Sequence, residues 1–401
     1  MSVYKYSGRT KTGELKKGVI QAANKNSAVK KLRDKGINPR EVVESNSILH
    51  KEIEVMKRVK AQDFVMFCRQ FATLVRAGVS IVESTHVLAL QSPNKLLKNT
   101  LFEVEEDLRS GKSFSQAVAK HPKIFPELFV NLMKTGEATG NIDSTLERLA
   151  NTYEKQYKMK KKIQSTMAYP LVLFVIMIAV VGFLLVYIVP SFVTSFEAMG
   201  ADLPWSTVKT VAFSGWLIVS WWKLLMLIVA GVSGVLFLYK KNEQFYFSVH
   251  YVLLRIPVFG KLVQMSAIAR LLRNLSSLFS SAVPILQALT ISERVSGNPV
   301  ISKVVVEARK SLENGSTLTE PLQKSWLFPP MVTSMTQIGE ATGSLDYMLE
   351  KAADFYEEEV DRTVDTLKSF IEPLMILLLA GVVGFIVAAI MLPMFSLYDQ
   401  M

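Results

Sequence analysis

One pentapeptide occurs twice in this chain, and it constrains the fold more than any other sequence feature. Residues 136–140 and 339–343 both read Gly-Glu-Ala-Thr-Gly and lie 203 positions apart. Further identities keep this offset downstream, and an offset of 204 holds upstream, so the two copies differ in length by one residue. The paired positions include Leu74/Leu278, Val79/Val283, Gly111/Gly315, Phe125/Phe328, Asp143/Asp346, Tyr153/Tyr356, Pro170/Pro373 and Pro190/Pro393. A colinear series of this length indicates an internal repeat, which determines the architecture.

Each copy of the repeat runs into an apolar stretch. Residues 171–189 and 374–392 are uninterrupted apolar runs of equal length, and a third run lies between them at 216–239. Because a helix rises about 1.5 Å per residue, each run is long enough to cross a bilayer. Proline is tolerated in the first turn of a helix, so we expect Pro170 and Pro373 to begin two of the spans where the chain enters the membrane. The sequence therefore predicts spans at 170–190, 216–239 and 373–393.

The placement of lysines predicts the orientation of these spans. Lysines are dense before the first span, Lys240 and Lys241 follow the second, and the segment 191–215 carries only Lys209. Basic flanks remain on the cytoplasmic side of a membrane. The first residues contain no apolar signal core, so the chain is expected to begin in the cytoplasm. We therefore place the N-terminus and both polar modules inside, and the loop 191–215 and the tail 394–401 outside.

The polar parts of the chain divide into a small unit and two related modules. Residues 1–45 predict a small α/β unit, and a polar linker follows at 46–60. Residues 61–169 show a helical period interrupted by glycine and proline, and residues 240–372 repeat it. The predicted fold class is a mainly α integral membrane protein with two homologous helical-bundle modules, three transmembrane helices and a small α/β N-terminal unit.

Composition and local motifs indicate no catalytic site. The net charge of +11 is typical of nucleic-acid binding, but many lysines flank spans, where orientation and anionic lipid explain them. Residues 111–113 resemble the end of a phosphate-binding loop, but Glu106 stands where that loop needs glycine. Residues 231–234 resemble a membrane protease motif, but none of the four histidines lies in a span or has metal-ligand spacing. We predict no enzyme activity, cofactor, metal or nucleic-acid partner.

The repeated pentapeptide has two interpretations. With the preceding helix predicted over 126–135, the pentapeptide forms a turn in which glycine ends one helix and Asn141 or Ser344 opens the next. Such a turn needs no specific glutamate, so Glu137 and Glu340 are expected either to fix a neighbouring helix terminus or to face a partner. The candidate residues of the motif are Gly136, Glu137 and Gly140 in the first copy, and Gly339, Glu340 and Gly343 in the second.

Equivalent helix faces in the two copies carry opposite charge. At offset 203, Lys155, Lys158 and Lys162 correspond to Glu358, Asp361 and Asp365. Their spacing places each set on one face of a helix. Two separately solvated faces are one interpretation, because exposed ion pairs contribute little. The alternative hypothesis is that the helices before the first and third spans pair, within one chain or between subunits, and that charge selects the partner.

One lysine lies close to the second span. Lys223 stands among Trp216, Trp221 and Trp222. A lysine that extends to the interface within an aromatic belt explains this position. The alternative is a charge that touches another, transported apolar helix.

Together these features resemble the PilC/GspF family, the inner-membrane platform proteins of type IV pilus, type II secretion and competence machines. The resemblance covers essentially the whole chain. Its most specific marks are Phe-Pro at 125–126 and 328–329, the two pentapeptides, and Pro170 and Pro373.

The resemblance implies a scaffold without enzyme activity in a bacterial inner membrane. Such a platform couples a cytoplasmic hexameric assembly ATPase to pilin or pseudopilin subunits that enter a growing fibre. It also implies other inner-membrane components of the machine as partners, and a homo-oligomer. A repeat-built transporter or channel is the alternative function, and a membrane enzyme is a third. The first and third predicted spans contain no charged residue, which disfavours transport.

Overall fold

A computed structural model describes residues 2–10, 15–22, 25–34, 37–44, 58–198, 205–257 and 259–398. The chain divides into two units, Met1–Val59 and Lys60–Met401. Most of the predicted linker 46–60 lies outside the described residues. From the sequence, Gly13 is expected to lie in the turn between the first two strands and Gly36 to end the helix of this unit, and both lie outside the described residues.

The first unit contains a three-stranded antiparallel sheet and one helix. Its elements are β1 (Ser2–Thr10), β2 (Leu15–Ala22), α1 (Lys25–Asp34) and β3 (Ile37–Glu44). The strand order is β2-β1-β3, with Tyr4 opposite Ile20 on one side and Glu44 on the other. Tyr4 packs with Leu32 and Val42 in the core. A core of this size makes the unit a marginally stable one by itself.

The first helical module is a bundle with an aromatic core. Its helices are α2 (Ala61–Arg76), α3 (Ile81–Gln91), α4 (Lys95–Arg109), α5 (Phe114–Ala119), α6 (Glu127–Thr139) and the long α7 (Ile142–Phe183). Side-chain oxygens of Ser80, Asn94 and Ser113 accept hydrogen bonds from backbone amides at the starts of α3, α4 and α5. Phe71 and Phe129 are fully buried among other phenylalanines. Local capping therefore sets the helix starts, and aromatic burial holds the bundle together.

The second module repeats this bundle. Its helices are α10 (Glu243–Arg255), α11 (Phe259–Phe279), α12 (Ile285–Val295), α13 (Pro299–Glu313), α14 (Thr319–Lys324), α15 (Pro330–Thr342) and α16 (Leu345–Tyr398). The central helix α11 is buried along most of its length, as expected for a helix enclosed by others. Aliphatic side chains such as Ile268, Leu278 and Leu349 fill this core.

In the part of the chain that the structure describes, three helices are long and apolar enough to cross a membrane. They are Ile142–Thr194, Val219–Lys241 and Leu345–Ala389. In the first, a π-helical segment at Leu184–Ile188 connects α7 to α8 (Val189–Ala198), and the second belongs to α9 (Trp205–Lys241). The pair α10 and α11 is also apolar but bends by 111°. Because α11 forms the centre of the second module, we assign this pair to the module.

The prediction that Pro170 and Pro373 lie in the first turn of a helix is wrong, whereas their place at the membrane entry stays a prediction. Pro170 lies inside α7 and Pro373 lies inside α16, so each helix continues unbroken from its module into the apolar segment. The helices also extend beyond the predicted loop and tail boundaries, and residues 199–204 and 399–401 lie outside the described residues. A proline removes only one intrahelical hydrogen bond, and strong helix-forming sequence on both sides carries the helix past it.

Candidate functional site at the module interface

Two arginines occupy the same place in the two modules. Arg69 on α2 donates from Nε to Glu154 at 2.6 Å and from a terminal nitrogen to Glu147 at 2.7 Å. It also donates to the side-chain oxygen of Asn151 at 2.5 Å. All three acceptors lie on α7. The hydrogen bonds that Arg69 donates to Glu154 are the main cause of a raised pKa for Arg69, and they lower the pKa of Glu154. This cluster fixes α2 to the base of the first span helix.

Arg273 on α11 forms the equivalent cluster with α16. It donates to Glu357 at 2.9 Å and to Asp354 at 2.5 Å, and Glu350 lies 3.8 Å away. Arg273 follows Arg69 by 204 positions, and its three acceptors follow those of Arg69 by 203. Only 7% of the Arg273 side chain is exposed, against 32% for Arg69. Neither arginine was predicted as a site residue, although their matching positions at the repeat offset are visible in the sequence.

The two clusters differ at one residue, and that residue forms a contact between the two modules. Where the first module has Asn151, the second has Asp354, which adds a negative charge. Lys155 of α7 reaches across and pairs with Asp354 at 2.6 Å and with Glu357 at 3.4 Å. Burial opposes ionisation of Asp354, but hydrogen bonds from Lys155 and Arg273 together lower its pKa. The extra charge of the second module is therefore neutralised by the first module.

The helices α7 and α16 run side by side as the chain approaches the membrane. Lys162 lies 3.0 Å from Asp365 and 3.7 Å from Asp361. Nearer the apolar segments, the Tyr169 hydroxyl donates to Glu372 at 3.4 Å. The Lys162/Asp365 and Tyr169/Glu372 pairs each join positions 203 apart, so equivalent residues of the repeat face each other.

Two of the predicted charged residues lie outside this pairing. Glu358 lies 3.5 Å from Arg362 on its own helix. Lys158 has no carboxylate within 4 Å among the described residues. The structure thus brings together Lys155 and Lys162 with acidic residues of α16, although the partners of Lys155 differ from the residue at offset 203.

Two hydrogen bonds between uncharged side chains and one ion pair complete the interface farther from the apolar segments. Thr152 and Ser277 share a buried hydrogen bond of 2.9 Å, and Gln156 donates to Asn274 at 3.0 Å. On the outer side, Arg294 of α12 pairs with Glu127 of α6 at 3.0 Å. Buried polar groups that are satisfied in this way specify one relative arrangement of the helices.

The glutamates of the pentapeptides bind helix N-termini within their own modules. Glu137 accepts from the Ser115 backbone amide at 3.1 Å and from the Ser115 hydroxyl, at the start of α5. Glu340 accepts from the amides of Leu318 and Thr319 at 2.5 and 3.1 Å, and from the Thr319 hydroxyl at 2.5 Å. A carboxylate at this position also meets the positive end of the short helix.

Most of each pentapeptide is helical and only its last glycine lies beyond the helix. The predicted end of the first of these helices at residue 135 is therefore wrong. The helices continue through Thr139 and Thr342, and Gly140 and Gly343 follow with φ angles of +74° and +71°. Those angles favour glycine. Asn141 makes no side-chain capping bond at the start of α7.

The first glycines of the two motifs allow close packing. A Cβ at Gly136 would lie 2.7 Å from the Thr145 hydroxyl, and one at Gly339 would lie 3.0 Å from the Leu345 Cα. Each motif therefore joins three helices of its module at one point.

Lys223 lies on α9, on an exposed part of the apolar segment. Its ammonium is 5.5 Å from the centre of the Trp222 ring, a cation–π contact. Among the described residues, no group of three or more His, Cys, Asp or Glu side chains is arranged to hold a metal ion.

Sequence comparison gives the repeat and the family directly. Residues 67–190 and 271–393 match the family described as type II secretion system (T2SS), protein F. The starts of the two matches differ by 204 positions and their ends by 203, which confirms the internal repeat. Residues 1–43 match the type II secretion system protein F, N-terminal domain. The chain belongs to this family.

Proteins of pilus and secretion systems match this chain along almost all of its length and of theirs. The type IV pilus assembly protein PilC of Thermus thermophilus is 39% identical over 99% of this chain and 98% of its own length. PilC of Myxococcus xanthus is 36% identical over 98% and 94%. The type II secretion system protein F of Vibrio cholerae is 32% identical over all of both chains. The resemblance to the PilC/GspF family is confirmed.

Proposed function

We propose that this protein is the inner-membrane platform of a type IV pilus or type II secretion machine. In this role it couples a cytoplasmic hexameric assembly ATPase to the insertion of pilin-like subunits into a fibre, and it catalyses no reaction itself. Full-length similarity to both pilus assembly and secretion proteins supports a place in such a machine. The modules lie in the cytoplasm, as the lysine distribution predicts.

The observation that carries this proposal is the continuity of two helices. α7 and α16 leave the paired modules and become the first and third apolar segments without a break. A continuous helix transmits rotation or translation along its axis, because its backbone hydrogen bonds resist bending. Force applied to the modules by an ATPase would thus reach helices that contact other subunits in the bilayer.

Site-specific photocrosslinking in native membranes tests this function. A photoreactive residue is placed at exposed Leu90 or Ile338 in the modules, and at exposed Leu227 on the second span. The module positions should capture the secretion ATPase, and the span position should capture pilin-like subunits. Two differently tagged copies in one cell test for the homo-oligomer that we also propose. Recovery of neither ATPase nor pilin-like protein at native expression would contradict the platform role.

A further inference from the structure

A polar cavity of about 480 Å³ opens between the two modules. Arg148, Lys155 and Lys158 line it from α7, and Ser276 and Ser280 line it from α11. Arg273, Thr152 and Ser277 also contribute, so cations and hydroxyls predominate. The remaining lining residues are Asn151, Glu154 and Glu350. The cavity lies beside the interface described above, whose ion pairs account for Lys155 and Arg273 but not for Arg148 and Lys158.

Two of the cations in the lining form no ion pair within 4 Å among the described residues, although Lys158 acts on the Glu154 carboxylate at longer range. The Nε of Arg148 is buried without a hydrogen-bond acceptor among the described residues, and its terminal nitrogen contacts only the Ser144 hydroxyl, at 3.3 Å. Lys158 also has no carboxylate within 4 Å in the described part of the chain. The Arg148 Nε is also closed off from solvent, so a ligand in the cavity would accept from the other donors of Arg148 and from the Lys158 ammonium.

Each of the two acids of the lining has an arginine near it. Glu154 binds Arg69 at 2.6 Å, and Glu350 lies 3.8 Å from Arg273. They therefore oppose an incoming anion less than free carboxylates would. The open positive charge belongs to Arg148 and Lys158.

The two lysines of the lining are specific to one copy of the repeat, whereas the position of Arg148 is basic in both. At offset 203, Lys155 and Lys158 correspond to the acidic residues Glu358 and Asp361, and Arg148 corresponds to Lys351. The lysines are therefore not required by the helix that both copies share. The bundle that both copies share therefore does not explain these two lysines, and a ligand of the first copy would explain Lys158.

We propose that this cavity binds a soluble anion that bears phosphate groups, and that the bound anion links the two modules. Guanidinium and ammonium groups hold phosphate oxygens, and the serine hydroxyls of α11 supply further donors. The volume falls within the range of small-molecule sites. The lining residues include no aromatic side chain on which a base or other ring would stack, so recognition depends on phosphate.

A lipid headgroup fits this cavity less well than a soluble anion. Lys158 precedes Pro170, at the start of the apolar segment, by 12 positions of one continuous helix. That separation is about 18 Å along the helix axis, and Arg148 lies still farther from the membrane. The ligand therefore comes from the cytoplasm.

Titration of the purified full chain with inorganic pyrophosphate tests the site. The protein is kept in a neutral detergent, ionic strength is held constant with sodium chloride, and binding heat and the unfolding midpoint are recorded. We expect saturable binding that raises the midpoint, because the ligand binds only the folded state. Lys158→Gln and Arg148→Gln should each weaken binding about tenfold or more. Lys158 is exposed, so its variant tests the site without disturbing the fold.

The matched control is Lys351→Gln, which removes the same charge at the repeat counterpart of Arg148 and should leave the affinity unchanged. Absence of saturable binding, or equal affinity in the wild type and Lys158→Gln, would overturn the proposal. A second arm compares nanodiscs of phosphatidylcholine with and without phosphatidylglycerol. A tenfold loss of pyrophosphate affinity in the anionic discs would assign the cavity to lipid instead. Recovery of the pilus or secretion partners does not depend on any of these results.

Discussion

The two modules share an arginine and its three acceptors but differ in how they complete the cluster. In the first module, Arg69 lies partly in solvent and one of its acceptors is the neutral Asn151. In the second, Arg273 is almost fully buried and the equivalent acceptor is Asp354. The first cluster is self-contained, whereas the second receives Lys155 from the other module. One change from amide to carboxylate therefore converts an internal cluster into a contact between modules.

The comparison teaches how a duplicated bundle can acquire a specific relation between its copies. Equivalent faces of identical modules would carry equal charges and repel each other. Here Lys162 of the first copy meets Asp365 of the second at the same repeat position. Opposite charges at equivalent positions favour pairing of a first module with a second module. They disfavour pairing of two first modules or of two second modules.

Removing the buried arginine should give the largest effect. Arg273→Ala leaves Asp354 and Glu357 without their main partner in a site of low exposure. We expect a loss of about 3–5 kcal/mol in the free energy of unfolding. Arg69→Ala is the matched control and should lose roughly 1–3 kcal/mol, because water reaches that site. Thermal unfolding of the full chain in detergent measures both, and equal losses would contradict the difference in burial.

Truncating the motif glutamates should have the next largest effect. Glu340→Ala leaves two backbone amides and a hydroxyl without their acceptor, and we expect a loss of about 1–3 kcal/mol. Glu137→Ala removes the acceptor of one amide and one hydroxyl and should lose less. Protection of the α5 and α14 amides in hydrogen exchange gives a local measurement. Greater loss in Glu137→Ala than in Glu340→Ala would refute this ranking.

Exchanging the residues that distinguish the clusters should change the module contact specifically. Asp354→Asn removes the partner of Lys155, and we expect a loss of about 1 kcal/mol because the pair is partly exposed. Asn151→Asp adds the same charge to the first module. Among the described residues, no lysine of the second module forms an ion pair with that cluster, so we expect no gain in stability. A double-mutant cycle between Lys155 and Asp354 isolates their interaction energy. A coupling energy of zero would show that the contact does not join the modules.

Acid should weaken the same contact. The lowered pKa of Asp354 means that its contribution to stability is present above its unfolded pKa, about 3.9, and is lost as pH falls through the folded pKa. Glu154 behaves in the same way. Between pH 7 and pH 3, the wild type should therefore lose more stability than Asp354→Asn. The extra loss should be no larger than the stability that Asp354→Asn itself costs at neutral pH. Parallel pH profiles of the unfolding midpoint would contradict this expectation.

Reversing the exposed pair near the membrane should have the smallest effect. Lys162→Glu places three acids together and should lower stability by at most about 1 kcal/mol at low salt. Adding Asp361→Lys and Asp365→Lys should restore it. Salt should reduce both changes. Failure of the double reversal to rescue the variant would remove charge selection as the cause of pairing.

Local features of the sequence predicted much of the fold. The helical period of residues such as Phe64, Phe67 and Phe71 correctly indicated helices, whereas the helix predicted to end at residue 135 continues to Thr139. Apolar length predicted three candidate spans. Pro170 was misread, because proline signals a break locally while the helix on both sides decides whether the chain continues. The partner of Glu137 lies 22 residues away on another helix, so periodicity alone could not distinguish it from a partner protein.

The repeat, the apolar segments and the opposite charges of two helix faces are properties of the sequence alone, because identity, hydropathy and spacing are read along the chain. The tertiary structure decided which charges meet. Lys155 pairs with Asp354, 199 positions away, and leaves Lys158 beside an open cavity. Side-chain pairing across such separations depends on how two helices pack, and packing is set by the summed burial of many residues rather than by any local pattern.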